Sequence, residues 1–90
     1  MVTVEFTSLL QRFFPNLKTE QVQANSVAQL IAELNIKYPG LSSYLIEENG
    51  GLRKHVNIFV NGNMIKDREQ LLDTLLHHDK VNIIQALSGG

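Results

Sequence analysis

Ninety residues, 43% of them hydrophobic and 19% charged, make one small globular domain and exclude both a disordered chain and a second core. The chain has no cysteine, which removes disulfides, zinc–thiolate sites and thiol nucleophiles and fits a reducing cytoplasm. A net charge of −1 argues against nucleic acid and anionic membrane as partners, and no apolar stretch approaches the roughly 20 residues of a membrane span.

Val2, Val4 and Phe6 alternate with Thr3, Glu5 and Thr7. This period of two, carried partly by β-branched residues, predicts a strand with one buried face. It leaves no basic segment followed by an apolar one, so no signal peptide is expected. Leu9 to Phe14 is apolar and stops at the turn signal Pro15-Asn16. Leu17 to Gln23 alternates weakly and is read as the return strand of a hairpin. Ser26 then opens a helix, with Gln29 three residues on as in a capping box. Val27, Leu30, Ile31, Leu34 and Tyr38 recur at helical spacing, and Pro39-Gly40 stops the helix. Leu41 to Ile46 is read as one further helical turn. Glu47 to Gly51 is a polar, glycine-rich loop and the expected mobile segment.

Val56 to Val60 is a second clear strand. Asn61-Gly62 follows it, the strongest short hairpin signal because both residues accept positive φ. Met64-Ile65 begins the partner strand, which Lys66-Asp67-Arg68 ends. Leu71, Leu72, Leu75 and Leu76 suit a short helix or 3₁₀ turn. Asp79-Lys80 turns the chain into a last strand from Val81 to Ala86. The predicted order is β-β-α-β-β-β, an α+β domain with one main helix across one face of a sheet. Its core takes in Val4, Phe6, Val27, Leu30, Ile31, Leu34, Val56, Ile58, Val60, Val81 and Ile83. Residues 1–86 form the domain, and Leu87, Ser88, Gly89 and Gly90 form a flexible tail.

Few residues suggest chemistry within the body. His55, His77 and His78 would have to converge with carboxylates to bind a metal. His77 and His78 are neighbours and, in a helix, would point apart. Glu47-Glu48 reads as a solvated loop, and Gly50-Gly51 lacks the strand-to-helix context of a phosphate loop. No Ser-His-Asp arrangement is defensible, and no metal or cofactor is expected on the chain itself. If Val56, Ile58 and Val60 face the helix, then His55, Asn57 and Phe59 face outward. On the last strand Asn82, Ile84 and Ala86 do the same. Phe59, Ile84 and Ala86 are therefore candidates for an exposed docking surface. The Gly89-Gly90 end is slim, because glycine has no Cβ, and its carboxylate is sterically open.

The element order, the Val56-Asn57-Ile58-Phe59-Val60-Asn61-Gly62 strand and turn, the Asp79-Lys80-Val81 turn and the closing Gly89-Gly90 together resemble the β-grasp sulfur carriers. These are the ubiquitin-like proteins of the ThiS/MoaD family. The likeness covers nearly the whole chain and is greatest to the cysteine-biosynthesis type, although family members often carry a proline where Gln85-Ala86-Leu87 stands. The resemblance implies a β-grasp fold with a mixed sheet. It also implies that the chain is a carrier rather than an enzyme. An ATP- and magnesium-dependent activating partner, an adenylyltransferase/sulfurtransferase, would adenylate the Gly90 carboxylate. Sulfur would replace AMP, and the thiocarboxylate would serve a sulfur-acceptor enzyme. Partners would grip the outer sheet face and draw in residues 87–90, which reach at most ~14 Å at ~3.5 Å per residue. Two rivals stand beside this reading: a ubiquitin-like modifier joined through Gly90 to lysine, and a binding module whose tail is incidental.

Overall fold

The computed structural model describes residues 1–85. Ala86, Leu87, Ser88, Gly89 and Gly90, on which the tail and part of the docking surface were placed, lie outside the described residues. Alternating apolar residues build β1 (Val2–Phe6), β3 (Val56–Val60) and β5 (Lys80–Gln85). The shorter strands β2 (Glu20–Val22) and β4 (Asn63–Met64) flank them in a five-stranded sheet ordered β2-β1-β5-β3-β4. β5 runs parallel to β1 and antiparallel to β3, so the last strand of the chain is the middle strand of a mixed sheet. Ile83 is aligned with Phe6 on one side and Ile58 on the other, and this register turns the apolar set of each strand to one face.

That face is covered by α2 (Val27–Lys37), which buries Val27, Leu30, Ile31 and Leu34. Its start is closed by a variant of the expected capping box, in which Gln29 reaches back to Asn25 rather than to the N-cap Ser26. The Ser26 hydroxyl accepts from the Gln29 N–H at 3.1 Å, and the Gln29 side chain accepts from the Asn25 N–H at 2.6 Å. α3 (Leu41–Leu45) follows and buries Leu41 and Leu45. Gly40 joins the two helices at φ 95°, a conformation that favours glycine. Nine of the expected core residues are buried, while Phe6 and Val60 are partly buried and pack against the core. Leu10, Leu17, Leu52, Ile65, Leu71 and Leu75 enlarge it.

Two segments differ from expectation. The apolar run after β1, to which no element was assigned from sequence, is a helix, α1 (Ser8–Phe13), which buries Leu10. The leucine-rich stretch from Leu71 to Leu76 is not a helix. Its Leu71 and Asp73 carbonyls accept the Ala28 and Val27 N–H groups at 2.8 and 3.1 Å, and so serve the open end of α2. Its own amides are shared between carbonyls and carboxylates: Leu71 and Leu75 donate to the Asp67 and Asn25 carbonyls, and Leu72 and Leu76 to the Asp67 and Asp79 side chains, while two aspartates also gather the amides just before the segment. Asp67 accepts from Glu69, Gln70 and Leu72, and Asp73 accepts from Lys66 and Asp67. Leu71 sits at φ 61°, outside the right-handed helical region. Leu71 and Leu75 are buried while Leu72 and Leu76 are exposed, so the spacing that suggested a helix is met by an irregular segment.

Candidate functional site

The outer face of the sheet is built by the strand residues that alternate with the core. On β3 these are Asn57 and Phe59, and on β5 they are Asn82 and Ile84; all four are half-buried. Phe59 lies opposite Asn82 and Asn57 opposite Ile84, which makes Phe59 and Ile84 diagonal neighbours. Both were expected to face outward as exposed apolar residues. Instead each is partly covered by the residues around it. The turn after β3 has Asn61 at φ 51° and Gly62 at φ 85°, the mirror-image turn that two-residue hairpins prefer. It aligns Phe59 with Met64, which is 50% exposed. Met64 thus extends the apolar strip to Met64–Phe59–Ile84. Met64 was not among the residues expected on this surface. The signal was present, since a two-residue loop at Asn61-Gly62 pairs residue 59 with residue 64.

Polar groups border the strip. Glu5 of β1 lies opposite Asn82, and its carboxylate pairs with Lys80 Nζ at 3.1 Å. With its amide nitrogen turned toward Glu5, Asn82 donates to the same carboxylate at 3.3 Å. On the other side the Arg68 guanidinium donates to Asn57 Oδ1 at 3.1 Å and to the Arg53 carbonyl at 2.9 Å. An apolar centre with a charged, hydrogen-bonded rim makes this face a candidate docking surface.

Hydrogen bonds hold both ends of this surface. At one end the two sequence motifs meet. Asn61 donates through Nδ2 to Asp79 at 2.8 Å and accepts from the Lys80 N–H at 2.9 Å, while its own N–H donates to the Lys80 carbonyl at 2.8 Å. Asp79 also accepts from the Leu76 N–H at 2.8 Å. That bond, followed by the one from Asn61, holds the Asp79 carboxyl below its ordinary pKa. At the other end Gln85, the last described residue, is aligned with Val56, and its N–H donates to Thr7 Oγ1 at 3.4 Å. Thr7 in turn donates its N–H to the Ile83 carbonyl at 3.3 Å. A depression of ≈ 300 Å³ beside Ile84 is lined by Glu5, Phe6, Thr7, Asn82, Ile83 and Ile84. Gln85, Thr7, Ser8, Leu9 and Arg12 line another of ≈ 290 Å³. Residues 86–90 therefore begin from a strand end clamped on both sides.

The histidines do not point apart as expected. Outside any helix, and with His78 at φ 74°, the His77 and His78 rings lie 3.8 Å apart between centroids. The neighbouring His78 and the Met1 ammonium push the His77 pKa down. Among the described residues no cluster of three metal-ligating side chains occurs. Among the same residues no helix is long and apolar enough to cross a membrane.

Known proteins with the same arrangement are recognisable. The model of the ThiS family matches residues 4–90, through the closing diglycine. The sulfur carrier protein CysO of Mycobacterium tuberculosis is 28% identical over 91 residues, covering 99% of this chain and 98% of its own. CysO in the BexX/CysO complex of Amycolatopsis orientalis superposes with a TM-score of 0.85 at 22% identity, over 100% of both chains. The small archaeal modifier protein of Methanosarcina acetivorans does so with a TM-score of 0.79 at 26% identity, covering 99% of this chain and 95% of that one. These neighbours are ubiquitin-like, and the mixed sheet crossed by one main helix is the β-grasp fold.

Proposed function

The chain belongs to the ThiS family, and on that premise we propose that it is a sulfur carrier whose Gly90 carboxylate is the reacting group. The observation that carries this reading is the family match, which runs through Gly89-Gly90 on a body whose last described strand ends at Gln85. A free carboxylate is a poor electrophile. An activating partner, an adenylyltransferase/sulfurtransferase, supplies ATP and magnesium. The Gly90 carboxylate attacks the α-phosphate, and pyrophosphate leaves. A sulfide equivalent then adds to the acyl carbon and AMP leaves, which yields the thiocarboxylate. That sulfur passes to an acceptor enzyme in the biosynthesis of cysteine, molybdopterin, a thiazole or another sulfur-containing metabolite. This chain performs no catalysis in the sequence. It presents Gly90 through Leu87, Ser88 and Gly89, while Phe59, Ile84, Ala86 and Met64 meet the partner. A cytoplasmic location belongs to the same proposal.

ATP–pyrophosphate exchange with the activating enzyme tests the reading. Wild type supports exchange, whereas a chain extended beyond Gly90, or carrying Gly90→Val, does not. Added residues move the carboxylate from the nucleotide, and a Cβ clashes in a channel shaped for glycine. Wild-type exchange from an extended chain of verified mass would reject activation at Gly90. A second reading is favoured by the likeness to the archaeal modifier: Gly90 joined to a lysine. It shares the adenylation step and departs after it. Mass spectrometry separates the two, by sulfur in place of one oxygen at Gly90 or by Gly-Gly remnants on lysines. A binding module with an incidental tail would keep its function when Gly89-Gly90 is deleted.

A further inference from the structure

The apolar run at the end of α1 leaves an aromatic surface that the reaction at Gly90 does not use. Phe13 is 51% exposed and Tyr44 of α3 is 38% exposed. Their rings lie 5.1 Å apart, and Phe14 meets Tyr44 edge-on at 5.1 Å. Beside them runs a groove of ≈ 220 Å³ walled by Phe13, Phe14, Pro15, Lys37, Tyr38 and Pro39. The wall is fixed. The Tyr38 hydroxyl donates to Glu20 and, at 3.4 Å, to the Asn16 carbonyl. Lys37 Nζ sits 3.1 Å from the other Glu20 oxygen. The groove lies between the ends of α1 and α2, on the helical side of the sheet and away from the Met64–Phe59–Ile84 strip.

Its size and lining select an occupant. A volume of ≈ 220 Å³ is smaller than sites that enclose a small molecule, so it fits one or two residues of a protein segment. Flat aromatic and pyrrolidine walls pack against proline rings, and a proline-rich segment is already extended and loses little entropy on docking. Two lysines against one carboxylate leave the charge beside the groove net positive. Lys37 and Lys18 both act on Glu20, the single carboxylate in this contact set, whose negative charge they share. From these observations we infer that the groove between α1 and α2 docks an extended, proline-containing acidic segment of a partner protein. Because it lies on the helical side, such a partner could hold the carrier while another protein occupies the outer sheet face.

The test is a backbone NMR titration of the full chain with the blocked peptide Glu-Pro-Pro-Pro-Pro-Glu and with its Gln-ended counterpart. The acidic peptide should give saturable shifts at Phe13, Phe14, Lys37, Tyr38 and Tyr44. Phe13→Ser, at an exposed position, should keep the fold and weaken binding about tenfold. Lys18→Glu should weaken the acidic peptide more than the Gln peptide. Four results would overturn the inference: no shifts at millimolar peptide, shifts at Phe59, Met64 and Ile84 instead, binding indifferent to both substitutions, or concentration-dependent shifts of the groove residues without peptide. The last result would make a second copy of the chain the occupant.

Discussion

Asn61 shows how one side chain can serve two loops. Its positive φ makes the β3–β4 turn, and its amide ties that turn to Asp79 and Lys80 at the start of β5. Phe59, two residues earlier, is held in register by the same bonds. Phe59→Asp should leave the fold intact and weaken binding to the activating enzyme about tenfold or more, because a carboxylate would be desolvated in an apolar contact. Unchanged affinity of a folded variant, measured by calorimetry, would remove Phe59 from the docking surface. Glu20 carries a second residue-level prediction. The Tyr38 hydroxyl, followed by Lys37 and Lys18, outweighs its partial burial and lowers its pKa from the ordinary 4.5. A carboxylate with a lowered folded pKa contributes stability that is present above its unfolded value and lost as pH falls through the folded one. Asp67 and Asp79, lowered from 3.8 mainly by backbone N–H groups, act in the same direction. Thermal melts should therefore hold steady down to about pH 5 and decline below pH 4.5, and Glu20→Gln should flatten the upper part of that decline. A decline that begins near neutrality would point to His77, whose pKa is lowered from 6.5, instead.

At the scale of elements, α2 carries most of the inner layer. Leu30 is fully buried between this helix and the sheet. Leu30→Ala should cost about 2–5 kcal/mol in urea melts, a large share of a small domain's stability. A cost near zero would place Leu30 elsewhere. α2 and the β3–β4 hairpin were legible from sequence because their signals are local. Ser26 and Gln29 close a cap within four residues, and Asn61-Gly62 sets a register by itself. The outer positions of Phe59 and Ile84 followed from that alternation, but their half-burial did not, since it depends on which strands lie alongside. The segment from Leu71 to Leu76 was misread for a nonlocal reason. Its shape answers to two aspartates and to the unpaired amides of a helix more than forty residues earlier in the chain. The α1 helix was missed because six residues beside a proline give too short a period to tell a helix from a connection.

At the scale of the whole molecule, body and tail are proposed to divide the work, the sheet face selecting the partner and Gly90 reacting there. Gly89→Ala should then leave the melting temperature unchanged while slowing pyrophosphate exchange, since it restricts only the backbone that threads the partner's channel. A matching loss of stability, read by circular dichroism, would show that Gly89 belongs to the folded body.

The central position of β5 has a mechanical consequence. Any pull that a partner exerts on residues 86–90 enters the body at Gln85, along the axis of a strand bonded on one flank to β1 and on the other to β3. Such a load shears two ladders at once. The bonds share the force and yield together, whereas an edge strand peeled sideways would lose them one at a time. A tail on β2 or β4 would tear its strand loose under the same tension. On β5 the load meets a strand paired on both flanks, so if a partner draws in Gly90 as proposed, the pull is borne by two ladders rather than one.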